Sequence, residues 1–119
     1  MTYLLIGKER FLKREFIRDL RERLLGKSPE ASLNFQEFSG KKNESAAALD
    51  FVSTAPFLGE KRMAVLWEAD SLPQEAKESL EQSVSKLPFS GVLVIVSEES
   101  NTKKNNFLKE LSTRCESVA

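Results

Sequence analysis

Histidine is absent from these 119 residues, and cysteine occurs once, at Cys115. The first absence removes the commonest metal ligand and the commonest general base at neutral pH. The second excludes an internal disulfide and fits a reducing, cytoplasmic setting. Net charge is missing too, since 18 Lys and Arg balance 18 Asp and Glu. No apolar run approaches the ~18 residues of a membrane span. The opening Met1-Thr2-Tyr3 leads into strand-like sequence and not into the basic-then-apolar form of a secretory signal. What is present suits an ordinary soluble domain, with 40% hydrophobic and 30% charged residues. A single domain of this length buries roughly two-thirds of its unfolded surface and needs no metal or bridge to hold it.

The balanced charge is unevenly placed. Residues 1–27 hold eight basic and four acidic side chains, the basic ones including Lys8, Arg10, Lys13, Arg14, Arg18, Arg21 and Arg23. A nucleic-acid face is one reading of that helix. The plainer one, which we favour, is a solvated face laced with pairs such as Asp19–Arg23.

Along the chain, strand and helix signals alternate. Tyr3-Leu4-Leu5-Ile6-Gly7 reads as a buried strand. Leu12, Phe16, Leu20 and Leu24, with Ile17, form one helical stripe that Gly26 and Pro29 end. Residues 32–38 read as an edge strand, with Leu33 and Phe35 alternating and Phe38 out of phase. Asn43 or Ser45 can cap a second helix with Ala48, Phe51, Val52 and Ala55 on its stripe. A third strand spans residues 61–67 around Met63-Ala64-Val65-Leu66. Ser71-Leu72-Pro73-Gln74 has the form of a capping box ahead of a helix carrying Ala76, Leu80, Val84 and Leu87. Residues 91–97 are apolar and β-branched throughout, the clearest strand. A helix over 102–112 turns Phe107, Leu108 and Leu111 inward, and residues 115–118 begin a fifth strand. This order predicts an α/β fold with a parallel five-stranded sheet and helices on both faces. The chain stops as the last strand forms, so a first domain cut from a longer protein is expected.

A strand that ends in glycine and leads into a helix invites a test for a phosphate-binding loop, Gly, four residues, then Gly-Lys-Ser/Thr. Gly7 and Lys13 fall in place; Leu12 stands for the second glycine and Arg14 for the magnesium-holding hydroxyl. Leucine is expected to fill the space the phosphates need, and arginine cannot ligate magnesium. Lys13 then reads as an ordinary surface lysine. Glu68 and Asp70 follow the third strand, where a catalytic or metal-binding acid would sit, but such residues are equally at home in a strand-to-helix loop. No catalytic residue, metal site or cofactor is assigned.

Between the second helix and third strand, Pro56 and Gly59 bracket Phe57 and Leu58. Such an apolar pair, held out of both regular elements, has the form of an interface anchor. The alternative is that both side chains fold back over the end of the core.

The stretch Phe57-Leu58-Gly59-Glu60-Lys61-Arg62, followed by Met63-Ala64-Val65-Leu66, resembles the delta subunit of the bacterial DNA polymerase III clamp loader. The opening strand to Gly7, the strand over 92–97, and Lys103, Lys104, Phe107, Leu108 and Lys109 follow the same family order. The resemblance implies a P-loop/AAA+-like N-terminal domain with degenerate Walker motifs and no ATPase activity of its own. It implies a sliding clamp as partner, other clamp-loader subunits engaged through domains outside residues 1–119, and only indirect involvement with DNA. In this family an exposed hydrophobic pair inserts into a clamp pocket and favours the open ring; here the matching pair is Phe57 and Leu58. Many members have a second phenylalanine where Leu58 stands. Rival readings are a nucleotide-dependent α/β enzyme with an atypical phosphate loop, a phosphoacceptor domain using Glu68 or Asp70, and a DNA-binding module using the basic first helix.

Overall fold

The computed structural model describes residues 1–98 and 106–118, with backbone alone for 116–118. The elements in chain order are β1 (Thr2–Ile6), α1 (Arg10–Leu25), β2 (Phe35–Ser39), α2 (Ser45–Ser53), β3 (Arg62–Trp67), α3 (Gln74–Ser83), β4 (Gly91–Ser97), α4 (Asn106–Arg114) and β5 (Glu116–Val118). Every pairing is parallel, in the spatial order β2-β3-β4-β1-β5. The expected five-stranded sheet is met in part: the sheet proper has four strands of five to seven residues. The fifth contributes only a three-residue edge against β1.

Side chains on a strand alternate between faces, and this divides the core in two. Leu4, Ala64, Leu66, Leu93 and Ile95 point to the side covered by α2, α3 and α4, through residues such as Val52, Leu80 and Leu111. Tyr3, Leu5, Met63, Val65, Val92, Val94 and Val96 point to the other side, where Ile17 and Leu20 of α1 cover them. With both faces covered, the inner strands can be apolar at every position, and all of β4 is buried. Gly91 opens β4 where α2 crosses it; a Cβ there would run into the Val52 carbonyl. Among the described residues no helix is long and apolar enough to cross a membrane.

Several local expectations change. Residues 29–34 form a 3-10 turn, so β2 begins only at Phe35, at the edge of the sheet as expected. The box at Ser71 does not form: Ser71 belongs to a 3-10 turn over Ala69–Ser71, and α3 starts at Gln74. Neither Asn43 nor Ser45 caps α2; Glu44 precedes the helix, and its carboxylate accepts the Ser39 N–H at 2.8 Å. Residues 102–105 of the fourth predicted helix lie outside the described residues, while Phe107, Leu108 and Leu111 are buried. Leu12, placed on the inner stripe of α1, is exposed instead.

Candidate functional site

In a parallel sheet all strands start at one end, so the loops that enter them share that end. Leu33 precedes β2, Phe57 and Leu58 precede β3, Phe89 precedes β4 and Met1 precedes β1, and all five are exposed large apolar residues. The only others among the described residues are Phe11 and Leu12, at the opposite end. Phe57 is 47% exposed, Leu58 78% and Phe89 81%. Pro56 and Gly59 thus bracket two side chains that do not fold back over the core.

Two polar ties hold these loops together. Asn34 is 3% exposed, and its side-chain amide pairs with both backbone groups of Phe57. Its Nδ2 donates to the Phe57 carbonyl and its Oδ1 accepts the Phe57 N–H, each at 2.7 Å. Lys61 donates to the Phe89 carbonyl at 2.8 Å, and its ammonium lies 3.4 Å from the Phe89 ring centroid. Leu58 has a left-handed backbone, φ 49°, rare for a branched apolar residue.

At the other end lies the crevice where a nucleotide would sit. The crossover after β1 leads through α1 towards β2, and the one after β4 leads through α4 to β5, so the chain direction switches between β1 and β4. Ligands of open α/β sheets bind at such a point. Here Lys13 occupies it. The surface position expected for Lys13 is corrected: it is 7% exposed, and its ammonium donates to the Gly7 carbonyl after β1 and to that of Ser97, the last residue of β4, the latter at 3.0 Å. Burial pulls the Lys13 pKa below the usual lysine range, opposed by Glu98 and Asp70 and reinforced by Arg10. Leu12 is exposed and lines a cavity of about 270 Å³ together with Gly7, Lys8 and Phe16. Arg14 lies over the Trp67 ring, 4.7 Å from its centroid. Glu68 pairs with Lys41 at 3.1 Å, and Asp70 sits in the 3-10 turn after β3. No group of three or more His, Cys, Asp or Glu able to hold a metal ion occurs among the described residues.

The basic face of α1 is partly engaged within the domain. Arg21 lies 4.0 Å from the Phe35 ring centroid, and Arg18 is 3.7 Å from Glu15 and 3.4 Å from Asp19. Asp19 therefore pairs with Arg18, not with Arg23 as the i,i+4 spacing predicts.

Lys13 and Asn34 were missed in sequence as organising residues. A lysine on an amphipathic helix and an asparagine in a strand-like run carry no local signal, because their partners are distant in the chain.

A family model described as DNA polymerase III, delta subunit, matches residues 3–118. No curated protein matches. Among solved structures, the DNA clamp loader delta protein of Bacillus subtilis superposes with a TM-score of 0.81 at 21% identity, over 98% of this chain and 37% of that one. A DNA polymerase III gamma subunit-related protein of Thermotoga maritima superposes at 0.74 with 17% identity, over 99% of this chain and 40% of that one. At these identities the superpositions establish the fold, and the chain spans well under half the length of either structure.

Proposed function

The chain belongs to the DNA polymerase III delta subunit family, and from that premise we propose that it binds the sliding clamp through Phe57 and Leu58 and helps open the ring. The observation that carries this reading is the exposure of both side chains on a loop whose backbone is fixed by a buried asparagine. An aromatic-aliphatic pair presented in this way can enter an apolar pocket with little further ordering. Leu33 and Phe89, in the neighbouring loops at the same end, supply a rim.

On this reading the domain is an AAA+-like module with degenerate Walker motifs and no catalysis of its own. ATP-binding neighbours in a cytoplasmic bacterial loader supply the energy, contacted through further domains of a longer subunit, and DNA is met indirectly. Lys13 supports this: its ammonium is committed to two backbone carbonyls in the switch crevice and is not free for a phosphate. Micromolar binding of magnesium-ATP in a calorimetric titration, lost in Lys13→Ala, would favour the enzyme reading instead.

The direct test substitutes Phe57→Ala with Leu58→Ala and measures capture by a sliding clamp ring. Hot-spot truncation costs about 2 kcal/mol or more, a loss of about thirtyfold. Clamp binding is expected to be nearly abolished, with the melting temperature within a few degrees of the parent. Arg18→Ala with Arg23→Ala serves as control and should change binding little. Lost binding with a collapsed fold would assign the pair to the core. Retained binding with an intact fold would remove Phe57 and Leu58 as the anchor.

A further inference from the structure

We propose that Asn34 is the positioning residue of this anchor: its side-chain amide holds the Phe57–Leu58 loop in the conformation that enters the clamp. The inference rests on the clamp-binding reading of that pair and adds a residue from a different element, the turn before β2.

The chemistry is specific to a primary amide. A peptide unit offers an N–H and a C=O, and pairing both from one side chain needs a donor and an acceptor side by side. Asn34 supplies both, to the N–H and carbonyl of the same residue. This reproduces the two-bond exchange of a β-ladder with a side chain in place of a strand. A carboxylate at position 34 could only accept, and an alkyl group could do neither.

The consequence falls on the next residue. Leu58 adopts φ 49°, a backbone state that an L-residue with a side chain holds only when its neighbours fix it. Asn34 fixes the residue before it. On the other side stands Gly59, where a Cβ would come within 3.2 Å of Asn34 Nδ2. Glycine therefore lets the amide approach closely, and Asn34, Phe57, Leu58 and Gly59 form one unit. Because Asn34 is buried, water does not compete for its amide. The loop is ordered before binding, so association does not bear that ordering cost.

The test compares the chain with its Asn34→Ala and Asn34→Asp variants, measuring affinity for a sliding clamp ring and hydrogen exchange of the Phe57 amide. Asn34→Ala should weaken clamp binding about tenfold and release the Phe57 amide to exchange. Asn34→Asp retains volume and the acceptor but sets an oxygen against the Phe57 carbonyl, so at neutral pH it should bind no better than alanine. It should recover towards the parent as acid supplies the carboxyl with a proton to donate, a recovery that keeps the test valid if alanine fails to fold. The decisive comparison is a double-mutant cycle. In a Phe57→Ala background, Asn34→Ala should cost much less affinity than it does alone, whereas a merely structural role would cost the same in both. Parental clamp affinity in both Asn34 variants, while Phe57→Ala with Leu58→Ala abolishes binding, would overturn the Asn34 proposal and leave the anchor standing. Binding that survives the Phe57, Leu58 double change would overturn both.

Discussion

At the scale of single residues, the side chains that matter most act over long sequence separations. Lys13 bonds a carbonyl 84 residues away, and Asn34 one 23 residues away. Neither was legible from its neighbours in the chain, whereas the Pro56–Gly59 bracket around Phe57 and Leu58 was, because proline and glycine act locally on the backbone. Cys115 gives a residue-scale prediction. Burial raises its thiol from 9.0 to about 11, with Arg114 and the N-terminal amine pulling the other way. The folded chain therefore holds a proton that the unfolded chain has released. Stability from this group is fully present below pH 9.0 and is lost as the pH rises towards about 11. Urea melts across that range should fall less steeply for Cys115→Ser. In the native chain near neutral pH, reaction with a disulfide reagent should be about a hundredfold slower than after unfolding, because the thiolate fraction is that much smaller. Equal rates would show that the fold does not raise the thiol above its ordinary value.

At the scale of elements, strands are more legible in the sequence than helix starts. Strand β4 stands out because both its faces are covered, which permits an unbroken apolar run. Helix α3 follows where the sequence places it, but Ser71-Leu72-Pro73-Gln74 does not act as its capping box, because the chain leaves β3 through Glu68 in a left-handed conformation and spends Ser71 in a 3-10 turn. The prediction here concerns packing of α2 on β4. Gly91→Ala places a methyl against the Val52 carbonyl, and overpacking of this kind costs about 1–3 kcal/mol. Val94→Asp buries an unpaired carboxylate in the fully covered strand and should cost several kcal/mol, on the order of the stability of the whole domain. Thermal or urea denaturation should rank parent, Gly91→Ala and Val94→Asp in falling order. A Gly91→Ala chain as stable as the parent would mean that α2 and β4 are not in close contact there.

At the scale of the molecule, the parallel sheet has two different ends. One carries the apolar loops of Leu33, Phe57, Leu58 and Phe89; the other carries Lys13 closed into the switch crevice. The basic face of α1 spans the distance between them, with Arg14 against Trp67 and Arg21 against Phe35. If the apolar end makes the contact, clamp affinity should fall by less than about tenfold between about 50 and about 200 mM salt. Recognition of nucleic acid through six or more phosphates would lose about a thousandfold or more over the same range. Measuring the affinity for a clamp ring and for duplex DNA at both salt concentrations separates the two readings; a steep slope for the clamp would shift the interface to the arginines.

The sequence by itself determined the α/β alternation, the parallel sheet and the edge position of β2. These follow from periodicity and residue type, which act over a few neighbours. Only the tertiary structure decided that Lys13 turns inward, that Leu12 turns outward, and that Asn34 holds Phe57. Those outcomes depend on which carbonyls and amides the folded sheet brings within hydrogen-bonding distance, and a parallel sheet makes its pairings between segments far apart in the chain.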